Sequence, residues 1–348
     1  MLAIQQILTE IVGKIEITPD LTISHPEYPP LELPPALVTK LPQLSPQFQL
    51  KCTIDRVQTY LHDIYFTHRL MSLAEIVIAA RQPLQVKNNL IDGIDINFFQ
   101  RLRQSNTSTG YFDRDWQVVA SDGDELIVVK DGLHLHIQLH QHLPPDLRQA
   151  EIGDVVPIYL PHNLVDRDTY IIVGNAGIPV RATSIQIYFH ATPDAAVAIA
   201  YQLTSGLNTL NIPFQLAILH DPSLFYRYDS STLWLCWADY LQVQPVLERI
   251  YRSHQTAFSP QVPLFSKQLA PGLGLVEVPT SSDPFGIHRC RLLATGLVTA
   301  MARDEPQSTL KLETIRQGFV AAGIDWQQPH LSFSTINSDE LYTLDYLR

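Results

Sequence analysis

Cysteine is scarce and scattered in this chain. Cys52, Cys236 and Cys290 are odd in number and share no short spacing. That pattern excludes a disulfide framework and a zinc ribbon, and it fits reduced thiols in a cytoplasmic protein. Charge is thin as well: Asp, Glu, Lys and Arg make up only 17% of the residues, and the formal net charge is −11. Nucleic acid and anionic membrane both want a positive surface, so neither is an expected partner. No apolar run reaches the roughly 18 residues that a spanning helix needs. The opening MLAIQQILTEIV carries an acid and no basic segment, so it does not read as a signal peptide. The spacings GxGxxG, GxxxxGK and GxSxG are missing, which removes the usual nucleotide loops and the nucleophile elbow.

What is present is a chain of 348 residues, 45% of them hydrophobic, long enough for one large domain or two ordinary ones. Eight of its 25 prolines lie between Pro19 and Pro46, which predicts an extended linker or wrapping arm. Residues 2–12 read as a short amphipathic helix. Ile54, Val57, Leu61 and Ile64 recur at helical steps through about Phe66, and MSLAEIVIAA predicts a helix that stops before Pro83. With a short helix over 97–104, residues 1–104 form a mainly helical N-terminal region. After Gly110 the texture changes: WQVVAS, LIVVK and LHLHIQLH, joined by Asp-Gly turns, spell a three-strand meander. VVPIYLP and TYIIVG add strands, and helices then alternate with strands to the end. Residues 105–348 therefore read as an α+β domain with a mixed, largely antiparallel sheet flanked by helices.

The richest segment is SIQIYFH, ending on His190. With period two, Ile185, Ile187 and Phe189 face one way, and Gln186, Tyr188 and His190 the other. Thr192-Pro193-Asp194 follows as a hydroxyl N-cap, a proline at the first helical position and a carboxylate in the first turn. An imidazole thus stands at the end of a core strand beside a helix N-terminus that favours anions. The loop DPSLFYRYDS then brings Arg227, Tyr228 and Asp229. Imidazole, guanidinium and phenol together suit a phosphorylated or carboxylated substrate; mutual satisfaction within a buried β-α-β unit is the plainer reading.

Other clusters carry less. His134, His136, His140 and His142 share one face of an extended strand, but no third ligand has an obvious spacing, so no metal is expected. His288 and Cys290 are two apart on a helix and point away from one another, which rules out a thiol–imidazole pair. Arg289 falls in the first helical turn, where it either joins an anion or makes a surface salt bridge. Lys267 stands alone in an apolar stretch; desolvation would make it a base, unless it snorkels to water. Lys130 ends a strand just before a turn, where lysine is usually solvated.

Ten segments then carry a resemblance: TGYFDRDWQVVA, VVKDGL, VPIYLPHNLV, TYIIVGNAG, IPV-R, YFHATPDA, LNTLNIPF, YRYDS, VPLFSKQLAPGLGL and DPFGIHRCRLLATGL. Over roughly residues 100–300 their order resembles the HopA-type effector family and the lyase component of class V lanthipeptide synthetases. The resemblance implies a phosphoserine or phosphothreonine lyase of ribosomal peptide maturation, acting without a cofactor on a precursor peptide that a partner kinase has phosphorylated. In such lyases a lysine takes the α-proton, a histidine protonates the leaving phosphate and arginines hold the dianion. On that basis His190 is the acid, Lys267 the candidate base and Tyr228 an assistant. Arg181, Arg227, Arg289 and Thr192 would hold phosphate, with Asp229, Lys130 and His288 in support. Two departures stand out. Tyr188 replaces the lysine of the Lys-x-His strand end, and Gln215 and Ala217 occupy the strand where a second lysine is found. The alternative is a non-catalytic phosphopeptide- or leader-binding module, and a weaker third is an effector-like interaction protein.

Overall fold

The computed structural model describes residues 2–18, 20–81, 90–91, 94–279, 283–303, 308–332 and 342–344. The N-terminal part runs α1 (Leu2–Lys14), β1 (Glu16–Ile17), β2 (Ile23–His25), β3 (Tyr28–Leu31), α2 (Pro35–Val38) and α3 (Pro46–Leu61). A wide π-helical turn, His62–Phe66, continues α3, and α4 (Leu73–Arg81), β4 (Leu90–Ile91), β5 (Ile94–Asp95) and α5 (Ile96–Ser105) follow. The expected stop of α4 before Pro83 lies outside the described residues. The Pro-rich arm is more structured than its composition suggested, since β2 and β3 pair and Ile23 is buried. The helix expected from Ile54 starts earlier, at Pro46, because Ser45 accepts from the Phe48 amide and caps it.

The meander appears as β6 (Tyr111–Asp122), β7 (Glu125–Lys130) and β8 (Leu133–Gln138), followed by α6 (Leu139–His142) and β9 (Val155–Leu160), which pairs with β6. Trp116, Val118, Leu126, Val128, Ile137 and Ile158 make its own small core.

The main sheet has seven strands: β10 (Asn163–Val165), β11 (Thr169–Val173), β12 (Ser184–Phe189), β13 (Phe214–Leu219), β14 (Ser231–Cys236), β15 (Lys267–Ala270) and β16 (Leu273–Glu277). Their spatial order is β10-β11-β13-β14-β12-β16-β15. Every pairing described is antiparallel, so the α+β class holds and the sheet contains no parallel pair among the described residues. Register fixes the two faces. Ile187, Leu233, Leu216 and Ile172 lie in one cross-strand row and are buried under α7 (Pro193–Thr209) and α8 (Tyr240–His254). The opposite face meets α1, α3, α9 (Phe285–Ala302) and α10 (Ser308–Ala321), with Tyr188 and Val276 reaching into that second core.

Gly296 of α9 is what lets α10 come close. A Cβ there would sit 2.6 Å from Ile315 Cγ1 and 2.7 Å from Ile315 Cα. Gly296→Ala should cost about 2 kcal/mol by forcing the two helices apart, measured by chemical denaturation.

Candidate functional site

The helical cover of the second face is incomplete, and where it stops a cleft of about 380 Å³ opens onto the sheet. Its floor follows from register. Gln186 pairs with Trp234, and Trp234 with Gln215, giving an indole flanked by two amides. One step along, Tyr188, Thr232, Ala217 and Ile171 form a second row. The positions at which the resemblance expects lysine, 188 and 215 or 217, are thus all floor positions, and all are uncharged here.

The walls come from four separate places. The π-helical turn supplies His62, Asp63 and Phe66, and the residues after it supply Thr67 and Arg69. The link between β10 and β11 supplies Asp166 and Asp168, and the loop before β14 supplies Arg227 and Asp229. The start of α9 supplies Pro284, Phe285 and Gly286; a Cβ on Gly286 would meet the Phe66 ring at 2.5 Å, so this wall needs glycine to close. Four carboxylates therefore face two guanidiniums, and the lining contains no lysine.

Arg227 is already engaged. Its Nε donates to Asp229 Oδ1 at 2.9 Å and its Nη2 to Oδ2 at 2.8 Å. Burial pulls the pKa of this guanidinium down, but the Asp229 hydrogen bonds and charge, with Asp168 beyond, lift it above the ordinary value. Tyr188 is buried and donates to Gln186 Oε1 at 2.6 Å. Burial and then the Asp229 charge drive its pKa far up, so it stays a neutral phenol.

His190 emerges just past β12, as the pattern required, but it does not line the cleft. It is 5% exposed, with Nδ1 3.1 Å from the Gln261 carbonyl and its ring tilted against Tyr228 at 5.2 Å. Tyr228 in turn stacks flat on His68 at 4.7 Å. His68 has φ +56° and its Nε2 lies 2.9 Å from Glu75 Oε1, so a strained backbone is held by a ring stack and a carboxylate contact. Burial is the main cause lowering the His190 pKa, only partly offset by the Gln261 carbonyl. Burial also raises the Tyr228 pKa. The Tyr228 phenol therefore stays protonated, and the His190 imidazole is held in its neutral form, away from the cleft.

The remaining candidates are dispersed. Lys267 pairs with Leu275, which pairs with Ile187, so register puts it on the α7–α8 face, opposite the cleft floor. Lys130 belongs to the smaller sheet, bonded at 2.8 Å to Asp113 and to the Arg114 carbonyl. Arg289 sits in the second turn of α9, 1% exposed, as neither an anion ligand nor a surface ion pair. It donates to the carbonyls of Pro329 and Leu331 and to Ser332 Oγ, each at 2.8 Å, and contacts His288 Nδ1 at 2.7 Å. Burial lowers its pKa to about 10. His288 is thereby a partner of Arg289. Arg181 is exposed and lines an adjoining cavity of about 380 Å³ that shares Gln186, Gln215, Trp234 and Pro284 with the cleft. Thr192 is spent capping α7 through the Ala195 amide. The four histidines part company because α6 begins at Leu139, so His140 and His142 leave the strand. Among the described residues no group of three His, Cys, Asp or Glu could hold a metal, and no helix is long and apolar enough to cross a membrane.

The floor strands, the Asp166–Asp168 link, the Arg227–Asp229 loop and the start of α9 fall in one stretch with known relatives, whereas the His62–Arg69 wall lies outside it. Residues 160–331 match the HopA1 effector protein family. Two solved structures are similar to the chain. One is the effector protein from Pseudomonas syringae pv. tomato strain DC3000, at 14% identity and TM-score 0.42, covering 68% of this chain and 81% of that one. The other is the effector protein from Pseudomonas syringae pv. syringae strain 61, at 11% identity and TM-score 0.43, covering 82% of this chain and 98% of that one. No curated protein matches.

Sequence reasoning missed Asp63, Arg69, Asp166 and Asp168. The only sequence signal for them was acid and base in short loops at the ends of predicted elements. Two outcomes test this account. Arg289→Ala strands several buried acceptors and should cost about 3 kcal/mol in chemical denaturation. His190 should contribute a pH dependence with a definite sign. Its folded pKa lies below the ordinary 6.5, so the fold binds fewer protons than the unfolded chain below that pH. Stability is then full above about 6.5 and falls on acidification toward the folded pKa. In His190→Asn that part of the acid slope should vanish from denaturation curves taken between pH 7 and 5.

Proposed function

We propose that this HopA1-type chain is a peptide-binding module that holds a polypeptide across the sheet-face cleft without eliminating phosphate from it. The observation that carries the reading is the lining: four aspartates, two arginines and no lysine. Abstraction of an α-proton calls for an unprotonated amine within hydrogen-bond reach of the substrate. Lys267 and Lys130 lie on other faces, and the phenols of Tyr188 and Tyr228 are held neutral. The elimination reading retains His190 beside Tyr228, but it has no amine base in the lining. A groove floored by Trp234 between two glutamines, and continued by a second cavity, suits an extended peptide. The partner in this reading is a precursor or leader peptide; a kinase is needed only if phosphate is the leaving group.

Incubation with a phosphothreonine peptide should release no phosphate and leave the peptide mass unchanged, while calorimetry records binding of the unphosphorylated peptide of the same sequence. A dehydro amino acid in the product would replace this reading with elimination.

A further inference from the structure

We propose that Asp229 serves as a built-in anion that closes Arg227 to phosphate and so selects a basic, unphosphorylated peptide segment for the cleft. The inference rests on the peptide-binding reading and adds its substrate class. Arginine recognises phosphate through the same two-donor edge that it offers to a carboxylate. Here the side-on edge is filled, with Nε and Nη2 each bonded to one oxygen of Asp229, and the same carboxylate neutralises the charge that the remaining Nη1 end would offer a phosphate. The two side chains are only 12% and 19% exposed, so this is no loosely solvated surface pair.

A phosphate reaching this point would have to displace Asp229 and then lie within the same cleft as Asp63, Asp166 and Asp168. Like charge in a partly closed site opposes both steps. An ammonium or guanidinium meets the opposite situation. Asp166 and Asp168 are exposed on the β10–β11 link and line the same cleft, while Asp229 is held by Arg227. The adjoining floor is the Trp234 indole, flanked by Gln186 and Gln215 and running into a cavity that Ile178, Pro179 and Val278 also line. Charge complementarity at one end and apolar surface at the other describe a segment in which a lysine or arginine adjoins apolar residues.

The test compares two peptides of one sequence, carrying either lysine or phosphothreonine at the same place, together with inorganic phosphate as a direct probe. The wild-type protein should bind the lysine peptide at least about tenfold more tightly and show no phosphate binding. Asp229→Asn should bind inorganic phosphate and shift the peptide preference toward phosphothreonine by about a hundredfold. An unchanged preference in a folded Asp229→Asn protein overturns the proposal. Arg227→Gln decides the matter independently. It releases the Asp229 carboxylate, so lysine-peptide affinity should rise; a fall would show that Arg227 itself holds the ligand and would overturn the proposal. Should neither peptide bind the wild type, the peptide-binding reading fails, while phosphate titration of Asp229→Asn still reports whether the fork was closed.

Discussion

The register of β12 between β14 and β16 is the constraint from which the rest of this molecule follows. A strand in the middle of a sheet covered on both faces cannot slip by one residue without moving every apolar side chain to the wrong core. Ile185, Ile187 and Phe189 are committed to the α7–α8 side, so Gln186, Tyr188 and His190 must take the other. Cross-strand pairing then carries that assignment outward to Trp234 and Thr232, and on to Gln215 and Ala217. Polar residues at interior sheet positions need a hydrogen-bond partner or water, which is easiest to supply where the helical cover stops. The cleft is therefore the place where burial of this face ends, and its floor chemistry is set by strands whose other face is core.

The cover is completed at one side by a column of rings. His68 stacks on Tyr228, and Tyr228 leans on His190, tying the segment after the π-helical turn to the end of β12. The same turn contributes His62, Asp63 and Phe66 to the cleft wall. A π-helical turn widens the helix and redirects the side chains that leave it, which here brings a carboxylate over a sheet from a helix packed on α9. Glu75, bonded to His68 and to the Ser72 amide at 2.7 Å, anchors the far end of the strap. The positive φ at His68 is thus held by interactions on both sides of the residue.

How much of this was legible in the sequence depends on whether the information was local. The period-two pattern of SIQIYFH and the Thr192-Pro193 cap were readable because both are written within a few residues, and both appear where expected. The face on which Lys267 lies was not readable, because it depends on hairpin register, including a bulge between Gln268 and Ala270, and no local pattern announces that register. Arg289 suggested an anion ligand or a surface ion pair; its burial is created by residues 329–332, some forty positions later. The acidic rim was invisible for the same reason, since its aspartates come from the π-helical turn and two loops that only the assembled sheet brings together. A single sequence also gives no reason to read Arg227 and Asp229, two apart in a loop, as one closed fork.

Floor and rim charges depend on one another. Where a sheet face of this kind carries lysines at the positions of Tyr188 and of Gln215 or Ala217, a rim of aspartates would pair with them, and neither group would be left to meet a ligand. With a floor of phenol, amide and methyl groups, the four rim carboxylates have only two arginines in the lining for counter-charge. Asp229 does so through Arg227, which it holds in a bidentate bond inside the cleft. The remaining carboxylates leave an excess of negative charge that water and one further guanidinium, on the exposed Arg69, must balance. The uncharged floor therefore does more than leave the cleft without a lysine. It leaves the lining with four aspartates against two arginines, so that the rim alone sets a net negative charge over an indole and two amides.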